Sequence, residues 1–451
     1  MEKVNKKKNT QKKRMKVLAN CFVGLIYFII WGLLMMVAVK LGEAKEEVTV
    51  VKVEVPVMKI QLNGVTLKEV HENGKEVKYK GNKVFLNGEE FDDVEFKGRG
   101  NFSWAADKKS YRLKFESKVD LLGLGKAKKW ALVANSVDDS LMRNDLAQHL
   151  MGMIVDDYPF EGGFVDLIID DEKLGLYYLI KTMSVAKGTV DLNDPMGVLV
   201  ELDNAYCRSE EKWYETAGGN CLTLKDGVED DNVDAAMEDF LADFNNLEIA
   251  VESGDYKTAA EIMDLESFAK YFIISELTAN PDAYLTSWFF YKDGLDDKIH
   301  ADLAWDFDAA FGNHEWGGTA WPEEFYSPDT TMARLEYTFG IGDDDTKFCN
   351  YSDRNIGADL TKISLMMCRM MNDEDFRESV GKIYREKIVG RENEIIQYID
   401  DVAEIIREAA IKDAEIWEKG DFGKEVEYLK WWIQERMRFF EEKYAKNLAA
   451  D

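Results

Sequence analysis

Four histidines, five cysteines and six prolines in 451 residues leave several kinds of chemistry short of parts. No CxxC pair and no HExxH occurs, so a thiol redox motif and a zincin-type metal site both lack their signature. With only His71, His149, His300 and His314 present and no GxSxG, histidine-driven acyl transfer has few players. Gly123-Leu124-Gly125-Lys126 lacks the spacing of a Walker phosphate loop. No Pro-rich linker, internal repeat or low-complexity stretch interrupts residues 57–451, which argues for one large domain rather than a string of modules. Positive charge is scarce as well. Outside residues 1–16 the chain carries 49 Lys/Arg against 85 Asp/Glu, a net −36, which repels phosphate backbones and disfavours a general nucleic-acid role. Divalent cations or basic partners suit such a surface better.

What is present begins with a basic tail. Residues 1–16 hold eight Lys/Arg and one acidic residue. They lead into Val17–Val39, 23 residues whose only clearly polar side chain is Asn20. That length spans a bilayer as a helix and exceeds the apolar region of a cleavable signal peptide, although Gly42-Glu43-Ala44 offers small residues at cleavage-like spacing. The lysines place the amino terminus in the cytoplasm and everything after the anchor on the far side. The expected organisation is a cytoplasmic tail over 1–16, a transmembrane signal anchor over 17–39, a spacer over 40–55 and an extracytoplasmic domain over 56–451. In that compartment Cys207, Cys221, Cys349 and Cys368 are free to form disulfides. Cys207 and Cys221 flank a Gly-containing loop and could pair, and four buried thiols fit the spacing equally well.

The pattern beyond residue 48 is α+β. Val48–Phe115 reads as a run of strands punctuated by Asn63-Gly64, Asn73-Gly74 and Asn87-Gly88. Ser140–Met153 reads as a helix with Ser140 or Asp139 as its cap, and Phe164–Asp170 and Leu174–Ile180 return to strand. Residues 233–280 are helical, and Trp288–Lys292 and Lys298–Trp305 form a strand pair turned at Asp293-Gly294. The last hundred residues are helical, with Ile395, Ile399, Val402 and Ile406, then Leu429, Trp432, Ile433, Met437 and Phe440, on an inward stripe.

Two segments carry candidate chemistry. Asn280-Pro281-Asp282 follows a helical run, and one hairpin later comes Trp305-Asp306-Phe307-Asp308. In an extended segment Asp306 and Asp308 project to one face, close enough to share a Mg²⁺ or Mn²⁺ through oxygen ligands. The order of a loop Asp, a hairpin and a second Asp is that of a phosphotransfer site; capping or solvated carboxylates are the plainer explanation in so acidic a chain. The second segment is Gly98-Arg99-Gly100-Asn101-Phe102-Ser103-Trp104, followed by Lys108-Lys109-Ser110-Tyr111-Arg112-Leu113-Lys114-Phe115. Glycines let a backbone approach an anion and the basic residues supply charge, whereas a hairpin with a solvated basic edge would show the same letters. Alternation sends Tyr111, Leu113 and Phe115 to one face and Arg112 and Lys114 to the other.

Taken with Lys129-Trp130 through Asn135, Asp138 and Ser140, Met142-Arg143-Asn144, Gly175 through Leu179 and Val198 through Asp203, this ordered set resembles the CotH kinase family. The resemblance runs from about residue 56 to residue 451. It implies an atypical protein-kinase-like, two-lobed α+β domain with a helical C-terminal region, which phosphorylates Ser or Thr hydroxyls of protein substrates using ATP with Mg²⁺ or Mn²⁺. By position it makes Asp282 the catalytic residue, Asp306 with Asp308 the metal ligands, and Lys109 or Lys114 the phosphate contact, with Arg99 and Arg112 behind them. Arg143 and Asn144 would order the site, or serve as a helix cap and packing. Two positions depart from the pattern. Ser287 stands where a conventional kinase has a second, amide metal ligand, and Ile180-Lys181-Thr182 stands where relatives carry Thr-Glu-Lys. Both favour the alternative of a weak or inactive kinase-shaped module that adheres to surface partners. An extracytoplasmic kinase also needs a compartment that holds nucleotide, such as the space around a forming spore. A carbohydrate-active enzyme with an acid/base pair and an aromatic Trp316–Trp321 platform is a third reading.

Overall fold

In the computed structural model, which describes residues 54–313, 366–367 and 369–441, the amino-terminal alternation closes on itself. Asn87 and Gly88, left-handed at φ 52° and 81°, turn β2 (Tyr79–Leu86) into β3 (Glu89–Arg99). With β1 (Val57–Gln61), β4 (Ser110–Asp120), β5 (Lys126–Val133), β6 (Gly162–Ile169) and β7 (Glu172–Lys181) they form a closed barrel in the order β1-β2-β3-β4-β5-β7-β6. The seam is the parallel pair β1–β6, with Met58 opposite Leu167. Tyr111, Leu113 and Phe115 point into the barrel core as the alternation requires.

The run of strands is not unbroken. Thr66 and Glu69 exchange side-chain and backbone hydrogen bonds in a capping box that starts α1 (Leu67–Asn73), and Gly74 ends it. A single turn, α2 (Phe102–Ala105), interrupts the β3–β4 connection.

Strand β7 joins two separate hydrophobic cores. Leu174, Tyr177 and Leu179 belong to the barrel interior, while Leu176, Tyr178 and Ile180 belong to a second core. The change of phase between Leu174 and Leu176 falls at Gly175, whose φ of 80° and whose closeness to Asp413 exclude a side chain. The second core lies on a sheet of order β12-β11-β8-β10-β9, built from β8 (Val198–Leu202), β9 (Trp213–Glu215), β10 (Cys221–Gly227), β11 (Trp288–Lys292) and β12 (His300–Leu303). Helices α3 (Arg143–Ile154), α4 (Val233–Ser253), α5 (Tyr256–Ile262), α6 (Leu265–Thr278), α7 (Glu374–Lys387), α8 (Glu392–Trp417) and α9 (Phe422–Phe440) complete the α+β domain. Ile395, Ile399, Ile406, Leu429 and Trp432 are buried there as their spacing predicts, each contributing roughly 1.5–3 kcal/mol; Val402 is half-buried.

Cys207 and Cys221 form a disulfide, Cα to Cα 6.1 Å. No helix among the described residues is long and apolar enough to cross a membrane. The anchor expected at 17–39 lies outside those residues, as do His314, the Trp316–Trp321 segment, Cys349 and Cys368.

Candidate active site

Helix α6 runs out at Thr278 because Ala279 turns left-handed (φ 46°), and the next residue ties two loops together. The Asn280 side chain accepts a hydrogen bond from the Asp282 backbone N–H at 3.1 Å and donates to the Asp306 carbonyl at 3.1 Å. Ser287 Oγ donates to Asp306 Oδ2 at 3.3 Å, so the hairpin between the two loops closes back on the same residue.

Asp306 and Asp308 do not share a face for the reason expected. Strand β12 stops at Leu303, and Asp306 is left-handed at φ 67°, a conformation Asp tolerates better than most residues. The bent segment is held by α3. The Phe307 N–H donates to Asn144 Oδ1 at 2.7 Å, Asn144 Nδ2 donates to Asn135 Oδ1 at 2.8 Å, and Gln148 Nε2 donates to the Ala304 carbonyl at 2.9 Å.

Burial pushes the Asp282 carboxyl up to about 7, reinforced by the negative fields of Asp306 and Asp203. Asp306 is also raised by burial, an effect that Arg99 and the Ser287 hydrogen bond oppose. Asp308 is raised well above the usual aspartate range, by burial and then by Asp306, Asp282 and Asp138, with Lys419 pulling the other way. A few cations therefore face several enclosed carboxylates, and a bound divalent cation would relieve the repulsion. Among the described residues no group of three or more His, Cys, Asp or Glu converges into a ready-made metal cage. The donor set still fits Mg²⁺ or Mn²⁺, which take one or two carboxylates and complete their shell with phosphate oxygens and water.

The basic residues divide. The Arg99 guanidinium lies 5.1 Å from the Trp305 ring centre and feels Asp306, Glu201 and Asp308. Arg112 pairs with Glu95 at 3.4 Å beside it. Lys109 turns elsewhere: its Nζ donates to the carbonyls of Trp104 (2.9 Å) and Ala106 (2.7 Å), tying down the α2 turn. Lys114 is exposed on the outer face of β4. The Trp104 ring occupies the space a Cβ on Gly98 would need, so that glycine seats an indole instead of opening the backbone to an anion. Lys181 Nζ donates to the Gly188 carbonyl at 3.2 Å.

Arg143 is fully buried and ion-paired with Asp138, whose Oδ2 also accepts the Arg143 backbone N–H at 2.9 Å and whose Oδ1 accepts Ser140 Oγ at 2.6 Å. Asp138 thus starts α3, two or three residues later than a cap at Ser140 or Asp139 would have placed it, while Asp139 accepts the Gly420 N–H at 3.0 Å.

Several neighbours had no role in the sequence reading. Asp203 accepts from Thr286 Oγ1 at 2.9 Å and adds to the field on Asp282. Glu201, two residues earlier on β8, pairs with Lys225 of β10 at 2.7 Å. The Glu201-Leu202-Asp203 spelling was the available signal; Lys225 had none, because a cross-strand partner is invisible without the register.

A search of curated proteins found no match. The family model described as CotH kinase protein matches residues 96–440, a span that takes in the Arg99 segment, Asp138 and Arg143, both aspartate loops and the carboxyl-terminal helices. The chain belongs to the CotH kinase family.

Proposed function

We propose that this chain is an ATP- and Mg²⁺- or Mn²⁺-dependent kinase of Ser/Thr hydroxyls on surface, envelope or spore-coat proteins, held at the membrane by residues 17–39 with its domain outside the cytoplasm. The observation that carries it is the Asn280 and Ser287 bridging of the two loops, which brings Asp282, Asp306 and Asp308 into one enclosed field. Asp282, poised near neutrality, accepts the proton of the attacking hydroxyl. Asp306 and Asp308 hold the divalent cation, which supplies charge neutralisation at the transferring phosphate. Arg99, stacked on Trp305, and Lys225, oriented by Glu201, face the remaining phosphate charge. Lys109 and Lys114 would need to leave their present positions to join them.

The full chain in detergent, given labelled ATP with Mg²⁺ or Mn²⁺ and a Ser-rich acceptor, should label itself or the acceptor. Label retained in both Asp282→Asn and Asp306→Asn removes their assigned roles. A second reading, a binding module without turnover, draws on the neutral Ser287 and on Lys181. Metal-dependent ATP binding with no label in either metal decides for it.

A further inference from the structure

Helix α3 has a second polar face. Asn144 and Gln148 grip the Asp306 segment, and one residue on from each, Asp145 and His149 line a cavity of about 580 Å³ with Tyr178 of β7, Tyr398 of α8 and Glu161 at the entry to β6. That volume suits a small ligand or a single long side chain.

The charges around this cavity are unevenly engaged. Its two cationic side chains are already paired: Lys387 with Asp156 at 2.6 Å, and Arg391 with Glu394 through contacts of 2.7 and 2.5 Å. Asp145, 4% exposed, accepts one hydrogen bond, from Tyr398 Oη at 2.7 Å; a carboxylate has room for about four. The Tyr178 hydroxyl, in a residue 1% exposed, faces Asp145, and His149 Nε2 is buried without a partner. The His149 ring stacks on Tyr398 with 3.6 Å between centres and 5° between planes, so the wall is flat and aromatic. Unsatisfied acceptors, a rim carboxylate and π faces favour a positively charged guest that carries N–H donors. An anion would have to break the Lys387 or Arg391 pair first.

We propose that this cavity is a binding site for an organic cation, an alkylammonium or guanidinium group seated on Asp145 and Tyr178 beside the aromatic rings. The group could arrive on a free amine or on a basic side chain of a polypeptide, and the chemistry of recognition is the same. The site is independent of the phosphotransfer assignment.

The test is titration calorimetry on the full chain at physiological ionic strength, with cadaverine, its neutral match pentanediol, arginine amide and a blocked lysine tripeptide. One saturable site for cadaverine or for a lysine or arginine probe, and none for pentanediol, is expected. Saturation by the free amine alone marks a soluble ligand, and by the peptide also a side chain. Asp145→Asn should weaken binding about 10- to 100-fold, the scale of a charge-assisted hydrogen bond. Tyr178→Phe keeps the ring and should weaken it by about 3- to 10-fold, which preserves the test if the first variant folds poorly. Equal binding of cadaverine and pentanediol, no binding of any cation, or affinities unchanged in both variants would overturn the proposal, since a merely diffuse attraction to an acidic surface ignores both substitutions.

Discussion

The buried and half-buried aspartates singled out above divide by whether they are paired. Asp138 and Asp413 are paired: Arg143 meets the first, and Lys108 meets the second at 2.6 Å while also donating to the Leu176 carbonyl at 2.6 Å. Asp413 further accepts the Leu176 N–H at 2.9 Å, so this pair fastens α8 to the bulge of the barrel at Gly175. Asp282, Asp308 and Asp145 have no such direct ion pair among the described residues, and Asp306 has only the nearby Arg99. Paired acids sit where two elements must be held in one geometry. Uncompensated ones sit on loops and cavity walls, where their charge is available to something that binds. The fold bears their desolvation cost without return until a ligand arrives, which is how functional sites commonly depress stability.

The comparison breaks most visibly if charge is removed from the uncompensated group. Asp306→Asn should cut phosphotransfer by about 10³- to 10⁵-fold, and Asp282→Asn by about 10²- to 10⁴-fold, in a labelled-ATP rate assay. Neither should lower the melting temperature. A paired acid should behave in the opposite way. Lys108→Met leaves Asp413 buried without its ion-pair partner and should cost about 3–5 kcal/mol in chemical denaturation. Adding Asp413→Asn should recover part of that loss, and no recovery would mean that packing, not charge, explains the damage. Below these comes the disulfide. Asp203 donates its N–H to the Cys221 carbonyl and accepts the Cys207 N–H, so Cys207–Cys221 brackets a residue that bears on Asp282. Cys207→Ser with Cys221→Ser should cost about 3 kcal/mol for a loop of this size, read from denaturation under non-reducing conditions.

Much of this was readable in local patterns. Asn87-Gly88 marked a hairpin, Tyr111, Leu113 and Phe115 marked a buried face, and Asn280-Pro281-Asp282 with Asp306 and Asp308 marked the acidic centre. Thr66 and Glu69 also spelled a helix start, and the strand-like apolar residues around them masked it. What stayed hidden depends on long-range pairing. The barrel is closed by β1 against β6, Lys225 reaches Glu201 only through β10–β8 pairing, and Lys108 finds Asp413 from the far end of the chain. Lys109 carried the expectation because it stands beside Tyr111 in the same motif, and a lysine's direction at the mouth of a strand is set by neighbours such as Trp104.

The smallest effect has the most informative sign. Burial pushes Asp145 up to about 7, with Glu161 adding to the rise and the Tyr398 and Tyr178 hydroxyls opposing it. Between the ordinary aspartate range and about pH 7 the folded chain holds a proton there that the unfolded chain has released. The resulting stability is therefore fully present below pH ~4 and is lost as pH rises through 7. Asp145→Asn removes this dependence and keeps an oxygen to accept from Tyr398. At pH 8, without ligand, the variant should be about 1–2 kcal/mol more stable than the parent, less than the full linkage because the hydrogen bond to a charged acceptor is lost. At pH 4 the two should melt together. Melting temperatures across pH 4 to 8 check this: parallel curves would place Asp145 with the paired acids, and convergence at low pH keeps it among those left open for a ligand.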